Sequence, residues 1–411
     1  MAMGKPKIRF KGYEDDWEQR KLDNVAEFSK GRGYSKGDLI ELGTPIILYG
    51  RLYTNYETSI SDVDTYVEAK DGSVYSRGGE VIVPASGESA EDIARAATVD
   101  KSGILLGGDL NVVMPNEDIN SGFLAISISN GNPQRELAKR AQGKSVVHIH
   151  NEEIRNLRVP FPIKVEQNKI VEYFFNLDHL ITLHQRKCEE TKSLKKYMLQ
   201  KMFPENGKCV PKIRFSGFSD AWEQRKLGEI YGSIGNAFVG TATPYYVEQG
   251  HFYLESNNVK DGQINHNSEI FINDEFYEKQ KDKWLHSGDV VMVQSGHVGH
   301  AAVIPKELNN TAAHALIMFR NPKEEIEPYF LNYEYQTDKV KKKIENITTG
   351  NTIKHILASD MQEFVVDVPK YEEQKVIASY FSHLDHLITL HQHKCDELQK
   401  LKKFMLQNMF V

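Results

Sequence analysis

The chain has 411 residues, more than one ordinary hydrophobic core requires, and this length predicts two domains of about 150 to 200 residues. Its 51 Lys and Arg against 57 Asp and Glu give a net charge of −6, which excludes a strongly basic nucleic-acid-binding tail but permits a local basic face. Three cysteines are too few for a disulfide framework and lack the paired spacing of a zinc site. Since no apolar run approaches the ~20 residues of a membrane span, we expect a cytoplasmic protein.

The first predicted element is a short opening segment that occurs twice. Residues 6–22 recur as residues 211–227, with 13 of 17 positions identical. A longer stretch, residues 166–203, recurs as residues 373–410 with 25 of 38 positions identical. Because self-similarity at a nearly fixed offset marks a repeated structural unit, the chain is a tandem duplication with an internal pseudo-two-fold repeat.

The segments between the repeated ends, residues 23–142 and 228–349, predict two globular domains with different surfaces. They are nearly equal in length but share little beyond scattered turns. Short β-branched and aromatic runs broken by Gly, Asn and Asp are typical of buried strands in an α+β fold. We therefore expect mixed α/β domains at residues 1–163 and 212–369 that present two unlike surfaces on a common scaffold.

Two segments of the first domain interleave basic, aromatic and amide side chains with glycines. Arginine can read guanine, asparagine can read adenine, and lysine and tyrosine can hold phosphates, while glycine lets the backbone approach a ligand. Ordinary polar loops have a similar composition, and this is the alternative interpretation for each single residue. The candidate DNA-binding residues here are Lys30, Arg32, Tyr34, Lys36, Arg51, Tyr53 and Asn55.

A further candidate, Lys144, lies in a Gly-Lys-Ser sequence that shares its residues with a phosphate-binding loop. That loop requires an upstream glycine where this chain has Ala138, and the second copy has Asn351 in place of the lysine. We interpret both sites as structural turns with candidate DNA-contacting side chains.

Long amphipathic helices are predicted at residues 164–203 and 370–411. Apolar residues step by three and four along both, without an interrupting Pro or Gly. A helix of 38 residues at 1.5 Å each is about 57 Å long. A lone helix would expose its apolar stripe, so we expect the two to pack as an antiparallel coiled coil that joins the domains. A Pro/Gly stop signal predicts a linker at residues 204–211.

The second domain has its own set of candidate loops. A Gly-His-Val-Gly sequence at residues 296–299 has the spelling of a KH-domain loop, but the aromatic-rich strands around it favour a plain turn. The candidate DNA-binding residues of this domain are Gln294, Ser295, His297, His300, Asn351 and Lys354.

The sequence carries little that would support catalysis. It has no Asn-Pro-Pro-Tyr/Phe tetrad and no Gly-rich cofactor loop after a strand, which argues against a methyltransferase. Asp64 and Glu68-Ala-Lys70 contain the residue types of a metal-dependent nuclease, but the other repeat has no equivalent. His179 and His184 are five residues apart and point to different helix faces, unlike a metal-binding pair. We expect no catalytic site and no metal site in this chain.

Four features of the sequence occur twice in the same order. They are Trp17-Glu-Gln-Arg-Lys with its copy at Trp222, the Gly-Lys-Ser and Gly-Asn-Thr turns, the Pro-x-x-x-Glu-Gln-x-x-Ile helix starts at Pro162 and Pro369, and the long repeated helices. In this doubled order of motifs the sequence resembles the specificity subunit of type I restriction-modification systems, and the likeness covers essentially the whole chain. The resemblance implies two target recognition domains that each read half of a bipartite, gapped DNA site, with the paired helices setting the distance between halves.

The resemblance also implies partners for this chain. They are double-stranded DNA, two modification subunits that methylate adenine with S-adenosylmethionine, and restriction subunits that use ATP and Mg to translocate and cut DNA. No cofactor is implied for the chain itself.

Two other functions are alternatives to DNA recognition. A non-catalytic adaptor would bind two protein partners through its diverged domains, and salt-dependent retention of DNA by the assembled complex would distinguish the two. A small nuclease would show metal-dependent cleavage by the purified chain alone.

Overall fold

Each of the two long helices contributes to both structural units of the chain. The computed structural model describes residues 6–143, 145–350 and 354–410. Unit 1 contains the described residues up to Gln185 together with those from Gln392 onward, and unit 2 runs from Arg186 to His391. Each unit therefore combines one globular domain with a part of both helices.

Unit 1 is a mixed α/β domain. Its strands are β1 (Glu18–Lys21), β2 (Ala26–Lys30), β3 (Leu39–Ile40), β4 (Thr44–Ile47), β5 (Ser59–Ile60), β6 (Tyr66–Val67), β7 (Glu80–Pro84), β8 (Ser86–Gly87), β9 (Ala97–Val99), β10 (Leu105–Leu106), β11 (Leu110–Pro115), β12 (Val147–His148) and β13 (Arg158–Phe161). Its helices are α1 (Arg51–Thr54), α2 (Ala90–Ile93), α3 (Ser121–Ile128), α4 (Gly131–Arg140), α5 (Asn151–Arg155) and the first part of α6 (Lys164–Lys201).

The largest sheet of unit 1 has the strand order β2-β11-β7-β9-β5. Every residue of β7 is buried, because this strand lies between β11 and β9 and both of its faces are covered. A second sheet has the order β10-β4-β6-β3, in which β10 runs parallel to β4. The strand pair β1–β13 joins the opening segment to the residues just before α6.

Unit 2 is built from a corresponding set of elements. Its strands are β14 (Glu223–Lys226), β15 (Tyr231–Asn236), β16 (Tyr246–Val247), β17 (His251–Leu254), β18 (Val259–Lys260), β19 (Gln263–Ile264), β20 (Phe271–Ile272), β21 (Val290–Val293), β22 (Ala301–Val303), β23 (Ala312–Ala313), β24 (Leu316–Pro322) and β25 (Val365–Val368). Its helices are α7 (Leu227–Ile230), α8 (Asp274–Glu278), α9 (Pro328–Glu334), α10 (Asp338–Ile347), α11 (Ala358–Gln362) and the first part of α12 (Tyr371–Met409), in addition to the last part of α6.

The two domains share their strand order although their interior sequences differ. The unit 2 sheet β15-β24-β21-β22 repeats the order of β2-β11-β7-β9 in unit 1. The sheet β23-β17-β20-β16 repeats β10-β4-β6-β3, including the parallel pair at one end. This correspondence confirms the predicted duplication of a mixed α/β fold.

The sequence-identical residues of the repeat hold the opening segment to the start of each long helix. In unit 1, Arg9 donates two hydrogen bonds of 2.7 and 2.8 Å to the carboxylate of Glu166, which is fully buried. In unit 2, Arg214 donates two of 2.7 Å to the carboxylate of Glu373, which is 2% exposed. The glutamate raises the pKa of each arginine through these hydrogen bonds.

The glutamine after each glutamate closes the same joint. Gln167 accepts a hydrogen bond from the Asn120 amide, and Gln374 accepts one from the Glu327 amide, at 2.8 and 2.9 Å. The repeated Glu-Gln pair is therefore a structural device that fixes each helix to its domain.

The long helices pair in opposite directions within each unit. In unit 1 the early residue Phe174 of α6 contacts Phe410, which follows α12, with ring centroids 6.0 Å apart. In unit 2, Lys195 near the end of α6 forms a 2.6 Å ion pair with Asp385 in the first half of α12. These contacts confirm the predicted antiparallel pairing.

Candidate nucleic-acid interface

In unit 1 the loop after β2 crosses the connection between β10 and β11 at very short range. The Arg32 amide donates to the Leu106 carbonyl at 3.0 Å, and the Gly108 amide donates to the Gly33 carbonyl at 2.6 Å. A Cβ atom on Gly31 would lie 1.9 Å from the Gly107 carbonyl oxygen, so a side chain cannot fit there. Glycine is required for this close approach of two backbones.

The same loop carries several of the predicted DNA-contacting residues, in different environments. Lys30, Arg32 and Lys36 are all exposed. Tyr34 has a positive φ of 61°, and its hydroxyl is bonded to the Ser73 hydroxyl and the Lys70 amide, each at 2.6 Å. Tyr34 thus fastens the loop to the residues after β6.

The second predicted segment of unit 1 is partly occupied by internal contacts. The Arg51 side chain is only 11% exposed and forms ion pairs of 2.8 and 2.9 Å with Glu57 and Asp64. The Tyr53 hydroxyl donates to the Ser86 carbonyl at 2.8 Å, and burial raises its pKa. Asn55, at the end of α1, is exposed.

Next to Tyr53 lies a pair of residues that the sequence interpretation did not single out. The Ser86 hydroxyl is 3.2 Å from Nδ1 of His148, because β8 and β12 pair through these two residues. In unit 2, Ser295 and His355 form the corresponding β-bridge. In both copies the serine follows a matching strand and the histidine follows a matching Gly-x-Ser/Thr sequence. Comparison of the two repeats could therefore have predicted this serine–histidine pair.

Three of the predicted residues of unit 2 meet at this bridge. The amide of Ile356 donates to the carbonyl of Gln294 at 3.0 Å, and the amide of Gly296 donates to the carbonyl of Lys354 at 3.1 Å. Gln294, Ser295 and Lys354 are therefore neighbours.

His297 and His300 lie beside the same bridge, with ring centroids 5.4 Å apart. Together with the exposed Lys341 and Lys354 they line a cavity of about 350 Å³. Burial lowers the pKa of His300, so its imidazole stays neutral to lower pH than an exposed one. Two of the predicted residues, Lys144 and Asn351, lie outside the described part of the chain.

Unit 2 has the same backbone crossing as unit 1 but carries different side chains on it. The Phe238 amide donates to the Ala313 carbonyl at 3.2 Å, and the Ala315 amide donates to the Phe238 carbonyl at 2.9 Å. The His314 amide donates to the Leu254 carbonyl at 2.9 Å, as that of Gly107 donates to Ile47 in unit 1. His314 therefore occupies the position of Gly107.

The His314 side chain belongs to a polar cluster that the sequence interpretation also missed. Its Nδ1 lies 3.4 Å from a Glu255 oxygen that accepts a 2.6 Å hydrogen bond from the Tyr246 hydroxyl. Contact with the carboxylate raises the pKa of His314, and contact with His314 lowers the pKa of Glu255. Burial and the same carboxylate raise the pKa of Tyr246 to about 12. No short sequence motif marks this cluster, because its three members lie in separate segments of the chain.

Comparison with protein families identifies the duplicated domain. The model of the type I restriction modification DNA specificity domain matches residues 14–193 and again residues 219–400. The chain belongs to this type I restriction-modification specificity family. Both copies of the family domain thus contain an opening segment, a crossing loop and most of a long helix.

Whole-length relatives within the specificity family agree with this assignment. The chain is 20% identical over 404 residues to the type I restriction enzyme MjaVIII specificity subunit of Methanocaldococcus jannaschii, covering 95% of this chain and 91% of the relative. It is 26% identical over 409 residues, with the same coverage, to the putative MjaX specificity subunit of that organism.

A solved structure shows the same fold. The type I restriction-modification S subunit from M. genitalium superposes with a TM-score of 0.65 at 13% identity, covering 99% of both chains. A chain from a structure on complex assembly and conformational transition of the type I R-M system superposes with a TM-score of 0.51 at 17% identity, covering 97% of this chain and 98% of that chain.

Within the residues that the structure describes, no group of three or more His, Cys, Asp and Glu side chains is placed to hold a metal ion. Among the helices that the structure describes, none is both long and apolar enough to cross a membrane.

Proposed function

We propose that this chain is the sequence-specific DNA-recognition subunit of a type I restriction-modification complex and that each unit reads one half of a bipartite, gapped site. The observation that carries the proposal is that both units have corresponding sheets and a corresponding backbone crossing. The crossing carries Arg32 and Gly107 in unit 1, but Phe238 and His314 in unit 2. Two domains with the same backbone fold and different side chains are suited to recognising two different base sequences.

The chain would direct catalysis by its partners and would not itself be catalytic. The proposed partners are two modification subunits, which use S-adenosylmethionine to methylate adenine, and restriction subunits, which use ATP and Mg to translocate and cut DNA. Membership of the specificity family supports this division of labour. We place the complex in the cytoplasm, together with the DNA that it modifies.

The antiparallel helices would set the number of base pairs between the half-sites. Each helix contributes to both units, and each is fixed to its own domain by a buried Arg–Glu pair, Arg9–Glu166 or Arg214–Glu373. A buried ion pair between helix and domain favours a rigid spacer over a flexible linker. A rigid spacer suits the recognition of two half-sites on a DNA duplex, which is itself rigid.

A segment exchange tests the proposal directly. Residues 23–142 are replaced by the same segment of another family member, and the exchanged chain is expressed with the partner methyltransferase. Single-molecule sequencing of host DNA then reads the methylated adenine motif. We expect one half of a split motif to change, whereas exchange of residues 228–349, the matched control, changes the other half.

A change in both halves after either exchange would contradict modular reading. The adaptor alternative, which family membership does not favour, predicts no motif that depends on these segments. It also predicts that DNA retention by the assembled complex is insensitive to salt, whereas phosphate contacts make retention fall as salt rises.

A further inference from the structure

Arg32 differs from Arg51, Tyr34 and Tyr53 because the charge of its side chain is not used in contacts within unit 1. Arg51 is neutralised by Glu57 and Asp64, and the hydroxyl groups of Tyr34 and Tyr53 are bonded within the unit. Within residues 6–143, 145–350 and 354–410, no Asp or Glu carboxylate lies within 4.0 Å of the Arg32 guanidinium. The guanidinium N–H groups of Arg32 are therefore available to donate hydrogen bonds to a ligand.

Several glycines lie around the loop that carries Arg32. A Cβ atom on Gly72 would lie 3.0 Å from Nη1 of Arg32, so the guanidinium lies close to the backbone of that residue. A Cβ on Gly108 would lie 2.9 Å from the Gly33 carbonyl oxygen, which leaves no room for a side chain on that side of the loop. Gly107 is buried in the crossing, whereas Gly33 and Gly72 are exposed. We call these two exposed glycines beside Arg32 the glycine platform, because a ligand can approach an exposed glycine to within backbone contact.

The equivalent position in unit 2 indicates which part of DNA the platform contacts. There the amide that donates across the crossing belongs to Phe238, which offers no cation to a phosphate. Phosphates are the same at every base pair, so a phosphate contact would serve both units equally, whereas a base contact must differ when the bases differ. By contrast, Ser86 and Ser295, and the histidines opposite them, are shared by both units.

We propose that Arg32 reads a guanine in the half-site bound by unit 1, donating two guanidinium N–H groups to O6 and N7 in the major groove. The assignment rests on the proposed function, and it makes Arg32 a specificity-determining residue of unit 1. Lys36, exposed on the same loop, would contact phosphate.

The test compares Arg32→Ala, Arg32→Lys and the matched control Lys36→Ala, each expressed with the partner methyltransferase. The readout is the methylated motif from single-molecule sequencing. In Arg32→Ala we expect one guanine position of one half-site to lose its preference over the other bases by about 10- to 100-fold, with the other half unchanged. Arg32→Lys keeps the charge but loses the planar fork, so we expect its guanine preference to be intermediate. Lys36→Ala should lower methylation of all sites alike and leave the motif intact.

The unchanged half-site shows that an Arg32 variant is folded and assembled. If Arg32→Ala fails to fold, the guanine preference of Arg32→Lys tests the assignment by itself. A motif that stays unaltered in both variants, with or without a uniform loss of methylation, would overturn the guanine assignment and leave the proposed function intact. If the natural chain itself produced no split adenine motif, the proposed function would fail, and the assignment with it.

Discussion

Removal of the Arg214 guanidinium should destabilise unit 2 severely. In Arg214→Met the Glu373 carboxylate, which is 2% exposed, loses both of its 2.7 Å charge-assisted hydrogen bonds. An uncompensated buried charge typically costs about 3 to 5 kcal/mol. With a urea m-value of about 2 to 3 kcal/mol per M, the unfolding midpoint of unit 2 should fall by about 1 to 2.5 M.

Urea unfolding of the full-length chain, followed by tryptophan fluorescence, measures this change. Trp222 is 3% exposed and packs against Phe203 at a centroid distance of 5.8 Å, so its emission reports on the core of unit 2. The double variant Arg214→Met/Glu373→Met should recover most of the loss, because apolar residues can replace a buried ion pair at little net cost.

The surface variant Lys375→Ala provides the control for this experiment. Lys375 lies on the part of α12 that belongs to unit 2, and its side chain and that of its ion-pair partner Glu372 are 42% and 71% exposed, so the pair should contribute little to stability. If Arg214→Met unfolded at the same urea concentration as Lys375→Ala, the reasoning that makes the buried pair the joint between helix and domain would be refuted.

Three further predictions concern pH dependence, the crossing loop and the helices. Burial raises the pKa of Glu334 from 4.5 to about 8. Between these two pH values the folded chain holds a proton on Glu334 that the unfolded chain releases, so the free energy of unfolding should fall as pH rises from 4.5 to 8. Glu334→Gln should flatten this slope and stabilise unit 2 at pH 8 by up to roughly 4 kcal/mol, and urea titrations at pH 5 and pH 8 check it. Gly31→Ala places a Cβ atom 1.9 Å from a carbonyl oxygen and should abolish methylation that depends on unit 1. In the control Gly50→Ala the new Cβ atom has no neighbour within 4 Å, so this variant should methylate normally. Normal methylation with Gly31→Ala would contradict the backbone crossing. Deletion of one heptad from both long helices, about 10 Å, should shorten the gap of the methylated motif by roughly three base pairs, and an unchanged gap would exclude the helices as the spacer.

The candidate site was only partly predictable from the sequence. Residue types that suit DNA contact identified Arg32 and Lys36, which lie on an accessible loop. The same residue types also selected Arg51, whose position between Glu57 and Asp64 depends on how α1 packs against later residues. The Ser86–His148 pair and the Glu255–His314 contact join residues that are distant in sequence, so no local pattern predicts them, and only comparison of the two repeats indicates the first pair.

The sequence by itself determined the duplication, the two long helices and the family, because these depend on residue identity and on a period of three to four that can be read along the chain. Only the tertiary structure decided that the unlike interiors share one strand order and one backbone crossing. The physical reason is that sheet order depends on which apolar faces are buried together, and many side-chain combinations satisfy that condition equally well.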